Sequence, residues 1–97
     1  MVELIASDVF KAWIAGLRGN EARARINVRL RRLAMGLTGD VKPVGEGVSE
    51  LRIDHGPGYR VYFKRRGQLV LLLLCGGDKR TQTADIKQAI NIANEWR

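Results

Sequence analysis

The hydrophobic period of this chain changes partway along it, and that change restricts the possible folds more than any other feature. Up to about residue 37 apolar side chains recur at helical spacing, and from Val48 they alternate with polar ones before merging into a run from Leu69 to Cys75. Helices followed by strands in one short chain define an α+β domain with helices packed on an antiparallel sheet. At 97 residues there is room for a single domain, spanning 1–97, and one thin core.

Val2 to Ala6 is apolar enough for a first strand. Ser7 is placed to cap a helix, with Asp8 in its first turn and Phe10, Trp13, Ile14 and Leu17 on one face. Gly19 stops that helix and Asn20 caps the next, which runs from about Glu21 to Met35 with Ala22, Ile26, Leu30, Leu33 and Leu37 as its apolar stripe. The segment from Gly36 to Asp40 ends it as a turn. Strands are expected over Val48 to Asp54, Tyr59 to Arg65 and Leu69 to Leu74. The turn His55-Gly56-Pro57-Gly58 joins the first two, and Arg66-Gly67 precedes the third. Gly76-Gly77-Asp78 reads as a loop, and Thr83 as the cap of a last helix carrying Ile86, Ala89, Ile90, Ala93 and Trp96 on one side. The order is β-α-α-β-β-β-α.

Charge narrows the partners. Seventeen Lys and Arg stand against ten Asp and Glu, a formal +7 that favours a polyanion or an acidic protein. Between Arg18 and Arg32 there are six Arg and one acid, either a solvated helix face or a surface for ribosomal RNA or an acidic partner. No stretch approaches a spanning helix and the start lacks the layout of a signal peptide, so a cytoplasmic protein off the membrane is expected. Cys75 and His55 each stand alone, which leaves no thiolate cage and makes a metal or other cofactor unexpected. Cys75 reads as an inert core thiol, Trp13 and Trp96 as packing residues, and Gly76-Gly77-Asp78 lacks the Lys-Ser/Thr end of a phosphate loop.

Strand parity adds a sharper expectation. Leu51 and Ile53 share a face with Val61 and Phe63 if odd positions pair with odd ones, and a hairpin centred on Gly56 would then set Arg52 opposite Arg60 and Glu50 opposite Tyr62 on the other face. Like charges directly opposed destabilise a sheet. Either an anion such as a phosphate lies between the arginines, or they splay into solvent, or Glu50 and Asp54 neutralise them. Tyr59, Tyr62, Lys64, Lys79, Arg80 and His55 are expected close by. RNA cleavage by the 2′-hydroxyl needs a base, cations for the phosphorane and an acid for the leaving oxygen. Arg52, Arg60, Lys79 and Arg80 suit the second role, and His55 or Tyr62 the proton transfers. Arg25, Arg29, Arg32, Tyr59 and Lys64 suit RNA binding by charge and stacking.

The run Gly45-Glu46-Gly47-Val48-Ser49-Glu50-Leu51-Arg52-Ile53, with Gly56-Pro57-Gly58-Tyr59-Arg60-Val61-Tyr62-Phe63, resembles the addiction module killer protein branch of the RelE/ParE toxin superfamily, beside the HigB-type toxins. Leu73 to Lys79, then Thr81-Gln82, Asp85-Ile86 and Ala89, extend the likeness, as do Ile26, Arg29-Leu30, Arg32-Leu33 and Gly36 earlier. The resemblance implies a RelE/ParE-like, microbial-RNase-like fold and the toxin of a type II toxin–antitoxin module. It further implies a ribosome-dependent mRNA endoribonuclease working by metal-free 2′-hydroxyl attack, without a cofactor. It places the shared Gly-Tyr-Arg arginine on Arg60, a strand lysine on Arg52 and a late arginine on Arg80 or Lys79. Glu50 stands where a second strand lysine is usual and Ile86 near the usual tyrosine, so either Tyr59, Tyr62 or His55 takes the tyrosine's part or the cleavage mechanism differs. Implied partners are a cognate antitoxin with a helix-turn-helix DNA-binding fold, the ribosome and its mRNA, with operator DNA reached only through the antitoxin. A ParE-type inhibitor of DNA gyrase and an inactive RNA-binding relative are the alternatives.

Overall fold

In the computed structural model, residues 1–96 are described. Among them run β1 (Glu3–Ala6), α1 (Asp8–Ala15), α2 (Asn20–Ala34), β2 (Val41–Gly45), β3 (Val48–Ile53), β4 (Tyr59–Arg66), β5 (Val70–Asp78), a short 3-10 turn (Lys79–Thr81) and α3 (Gln82–Glu95). The sheet order is β1-β5-β4-β3-β2. The α+β class with helices on a sheet holds, but the sheet is mixed: β1 pairs in parallel with β5, and the other neighbours are antiparallel. The additional strand, β2, carries Lys42 and Pro43. Proline lacks an N–H and is confined to sheet edges, which is where β2 lies.

Parity puts two different cores on the two faces. Leu51, Ile53, Val61, Phe63, Leu71 and Leu73 pack with Phe10 of α1 and Ile26, Leu30 and Leu33 of α2. Val48, Tyr62, Leu72, Leu74 and Cys75 pack with Ala89 of α3. A register shift between Tyr62 and Phe63 in the β4–β5 pairing carries the alternation across the long apolar strand. Each fully buried large apolar side chain contributes roughly 1.5–3 kcal/mol, so both helical layers are held chiefly by these two clusters.

Local signals acted as expected at the start of the chain. Ser7 Oγ accepts from the Phe10 N–H (3.0 Å) as the α1 cap and also donates to the Leu74 carbonyl, tying α1 to β5. Elsewhere the boundaries moved. α1 closes at Ala15 through Gly16, before Leu17. Gly19, at φ 80°, takes the cap position of α2, and Asn20 becomes its first residue. Leu37 leaves the apolar stripe because α2 has already ended, and it is exposed. Thr83 lies inside α3, whose cap position is Thr81 without a side-chain cap bond; the side-chain cap comes earlier, at the 3-10 turn, where the Asp78 carboxylate accepts from the Arg80 N–H (2.8 Å).

Gly76, Gly77 and Asp78 are not a loop but the last three residues of β5. Glycine is required there by close approach: a Cβ on Gly76 would meet the Trp13 ring on one face, and one on Gly77 would meet the Asp85 carboxylate on the other. No helix among the described residues is long and apolar enough to cross a membrane.

Candidate nucleic-acid interface

The β3–β4 register is the one expected for a turn centred on Gly56, with Arg52 opposite Arg60 and Glu50 opposite Tyr62. Of the three ways to tolerate opposed arginines, the structure uses the internal carboxylate. Glu50 is fully buried, and its side chain accepts hydrogen bonds from Arg52 Nε (2.9 Å), Arg60 Nη1 (3.2 Å), the Tyr62 hydroxyl (3.0 Å) and Gln82 Nε2 (2.8 Å). Those donors come from β3, β4 and α3, so one carboxylate ties three elements together at the end of the sheet. Burial alone would raise the Glu50 pKa. The hydrogen bonds from Arg52, Gln82 and Tyr62, with the Arg60 charge, outweigh burial and hold it below the usual glutamate value. Asp54 takes no part: it is exposed and faces a groove beside α2.

The arginines differ in what they can reach. The Arg60 side chain is only 12% exposed and its Nε is buried without a partner, whereas Arg52 keeps 34% of its side chain in solvent. Gly77 pairs with Arg60, so the Asp85 carboxylate lying over Gly77 shares the Arg60 face. Asp85 Oδ2 accepts from Thr81 Oγ1 (2.5 Å). Arg60 is thereby a floor residue bonded to Glu50 on the face that Asp85 also occupies, and Arg52 is the outward cation of the pair.

Lys79 and Arg80 stand at the same end, just past β5, and both are exposed. Arg80 is oriented by Asp78, which accepts from its Nη2 (2.9 Å) and Nε (3.3 Å) while leaving 81% of the arginine side chain in solvent. With Lys87, they border a shallow cleft of about 620 Å³ over the first turn of α3.

Several expected site residues lie elsewhere. Tyr62 is fully buried under α3, its hydroxyl committed to Glu50, and burial followed by that hydrogen bond pushes its pKa up. It is closed to substrate as a proton-transfer group. Tyr59 and His55 are on the other side of the sheet from the arginine pair. Their rings stack at 6.5 Å and 24°, and Tyr59 meets Trp13 edge-on at 6.3 Å, within the α1 side of the core. The physical reason is parity, since an odd-numbered residue of β4 cannot share a face with Arg60.

Lys64 shares that face but stands opposite Val48. It lies four residues along β4 from Arg60, about 13 Å away, and its side chain packs over Gly47. Arg25, Arg29 and Arg32 come together on α2, lining a groove of about 560 Å³ with the half-exposed Val28. Arg29 is partly structural, because Nη1 donates to the Arg52 carbonyl (2.9 Å) and Nη2 is buried. Arg25 pairs with Glu21 at 3.5 Å in solvent. Cys75 is a buried thiol, its pKa pushed up to about 12 by burial and by the Asp85 charge.

Sequence reading offered Glu50 only as one way to neutralise the arginines, and it missed Gln82 and Asp85. The pairing of Glu50 with Tyr62 was legible by parity, but nothing local marks Gln82 or Asp85 as reaching the sheet. Among the described residues, no group of three or more His, Cys, Asp or Glu is arranged to hold a metal ion.

The fold and site together define a small α+β domain with a carboxylate-anchored arginine pair at one sheet end, where Lys79 and Arg80 are also exposed. An uncharacterized protein of Haemophilus influenzae is 47% identical to this chain over 94 residues, covering 97% of this chain and 95% of its own length. The chain belongs to the family of that protein. No family model matches it.

Proposed function

We propose that this chain is the toxin of a type II toxin–antitoxin pair of the RelE/ParE kind, acting in the cytoplasm as a ribosome-dependent mRNA endoribonuclease. The observation that carries this reading is the Arg52–Arg60 cross-strand pair, organised on Glu50 at the sheet end where Lys79 and Arg80 stand in solvent. Preorganised guanidinium groups at one strand end suit the charge that develops on a phosphorane. Arg52, Lys79 and Arg80 would touch RNA phosphates and Arg60 would hold the floor beneath them.

In the proposed reaction the 2′-hydroxyl oxygen attacks its own 3′-phosphate as its proton is removed. The bond from phosphorus to the 5′ oxygen breaks, that oxygen takes up a proton, and the products are a 2′,3′-cyclic phosphate and a 5′-hydroxyl end. Tyr62 is closed by burial. His55, stacked on Tyr59 across the sheet from Arg52 and Arg60, is not placed to serve that pair in proton transfer. The α2 groove with Arg25, Arg29 and Arg32 would supply a second RNA contact, and an antitoxin with a DNA-binding fold would neutralise the basic surface.

A second reading, an RNA-binding relative that does not cut, is favoured by the buried Tyr62 and by the Glu50 charge that offsets the arginine pair. Inducing the wild type and an Arg52→Gln/Arg80→Gln variant in bacteria, with 5′ ends of mRNA mapped by primer extension, separates them. Endonuclease action gives new ends within translated codons that vanish when translation is blocked and fade in the variant. Arrest with intact mRNA and unchanged DNA topology supports binding without cutting. Arrest with changed topology points to gyrase.

A further inference from the structure

Arg52 and Arg60 face each other across β3 and β4, and the charge they share is the Glu50 carboxylate. A carboxylate offers about four acceptor positions, and the side chain of Glu50 has donors from Arg52, Arg60, Tyr62 and Gln82 on it. With no exposure and its hydrogen-bonding capacity taken up, it is not placed to act on a substrate. What it does is electrostatic: it lowers the charge of the pair from two to one and fixes the orientation of both guanidinium groups.

We propose that Glu50 is the resident counter-ion of a phosphate site, a positioning residue that limits how much positive charge Arg52 and Arg60 offer to an incoming phosphate. This rests on the reading of the sheet end as an RNA-phosphate surface and adds the means by which its affinity is set. Each guanidinium has five N–H donors. Arg52 spends Nε on Glu50 and keeps a third of its side chain in solvent, and Arg60 still has a buried Nε without a partner. The pair is therefore built to hold an anion, and the fold supplies one of its own. An external phosphate must share the arginines with Glu50, which keeps binding to stray polyanions weak without loosening the site.

A purely structural Glu50 and a resident counter-ion differ in how their loss responds to anions. Glu50→Gln keeps the shape and removes the charge. Thermal unfolding of the wild type and the variant is followed in inorganic phosphate, and in sodium chloride at matched ionic strength. The variant starts with the lower Tm. Each tenfold rise in phosphate above its dissociation constant lifts the variant's Tm by roughly 5–10 °C. The wild type gains little beyond its response to chloride, and adding Arg52→Gln to the variant abolishes the phosphate gain. In parallel, binding of a single-stranded RNA 12-mer by the variant shows a salt slope steeper by about 0.7, one more phosphate contact.

Equal response of the variant to phosphate and chloride overturns the proposal. If Glu50→Gln is unfolded at low salt, recovery of its folded circular-dichroism signal in phosphate but not chloride supports it, and failure to recover in phosphate overturns it. Phosphate-specific recovery in a protein that leaves mRNA uncut ends the endonuclease reading alone. Cleaved mRNA without that recovery ends this inference alone.

Discussion

The two faces of the sheet are built on different physics. Beneath α1 and α2 the face is apolar along its length, with Leu51, Val61, Leu71 and Ile26 almost wholly out of water. Beneath α3 it begins apolar, at Val48, Leu72 and Leu74, and turns polar toward the end of the strands, where Glu50 gathers its donors. Burial by the first face is non-directional and tolerant of small shifts, whereas the second depends on hydrogen-bond geometry around one charge. A small domain can thus take most of its stability from one side and keep the other for a site whose cations are partly committed to the fold.

Glu50 and Leu51 are adjacent in β3 and point to opposite faces, so truncating each contrasts the two. Glu50→Ala strands the buried Arg60 guanidinium without its counter-ion and is expected to cost about 3–5 kcal/mol in urea denaturation. Leu51→Ala is expected to cost about 2–5 kcal/mol by transfer and cavity terms. Acid separates them further. The Glu50 pKa is lowered on folding, so its contribution is present above the unfolded value of 4.5 and is lost as pH falls through the lower folded value. The gap between wild type and Glu50→Ala should narrow below that pH, while the Leu51→Ala gap holds steady. Equal narrowing in both would remove the distinction between the faces.

The adjacent glycines of β5 probe the same contrast on a smaller scale. Gly76→Ala pushes into the Trp13 ring on the α1 side, and Gly77→Ala into the Asp85 carboxylate on the α3 side. Overpacking of this kind costs about 1–3 kcal/mol. The larger loss is expected at Gly76, whose neighbour is a rigid ring packed into the core, and should come with a changed tryptophan emission. Cys75, at the boundary of the polar region, is buried with its pKa pushed up to about 12. It should resist iodoacetamide at pH 8 in the folded protein and react once urea is added. The smallest effect belongs to the solvated face of α2: Arg25→Ala breaks only the exposed pair with Glu21 and should change stability by less than about 0.5 kcal/mol.

The residues that were legible in advance are those whose partners are fixed by a period. Alternation in β3 and β4, with the turn centred on Gly56, was enough to place Arg52 opposite Arg60, and helical spacing put Phe10, Ile26, Leu30 and Leu33 in the core. The same parity already separated Tyr59 from Arg60, so grouping Tyr59 and His55 with the arginines set charge and aromaticity above geometry. β2 stayed hidden because Lys42-Pro43 carries no strand signal, and its existence depends on the free edge that β3 offers. Gln82 and Asp85 were hidden for a different reason. Their reach to Glu50 and Gly77 is set by how α3 docks on the sheet, a tertiary outcome that no local pattern encodes.

Incubating purified protein with ribosomes programmed with a defined mRNA, and analysing the ends of the RNA, tests the central claim most directly. The account predicts cutting at the codon in the A site, with 5′-hydroxyl and 2′,3′-cyclic phosphate ends, weakened by Arg52→Gln/Arg80→Gln in a variant that keeps its fold. Intact mRNA on ribosomes at stoichiometric protein would contradict it.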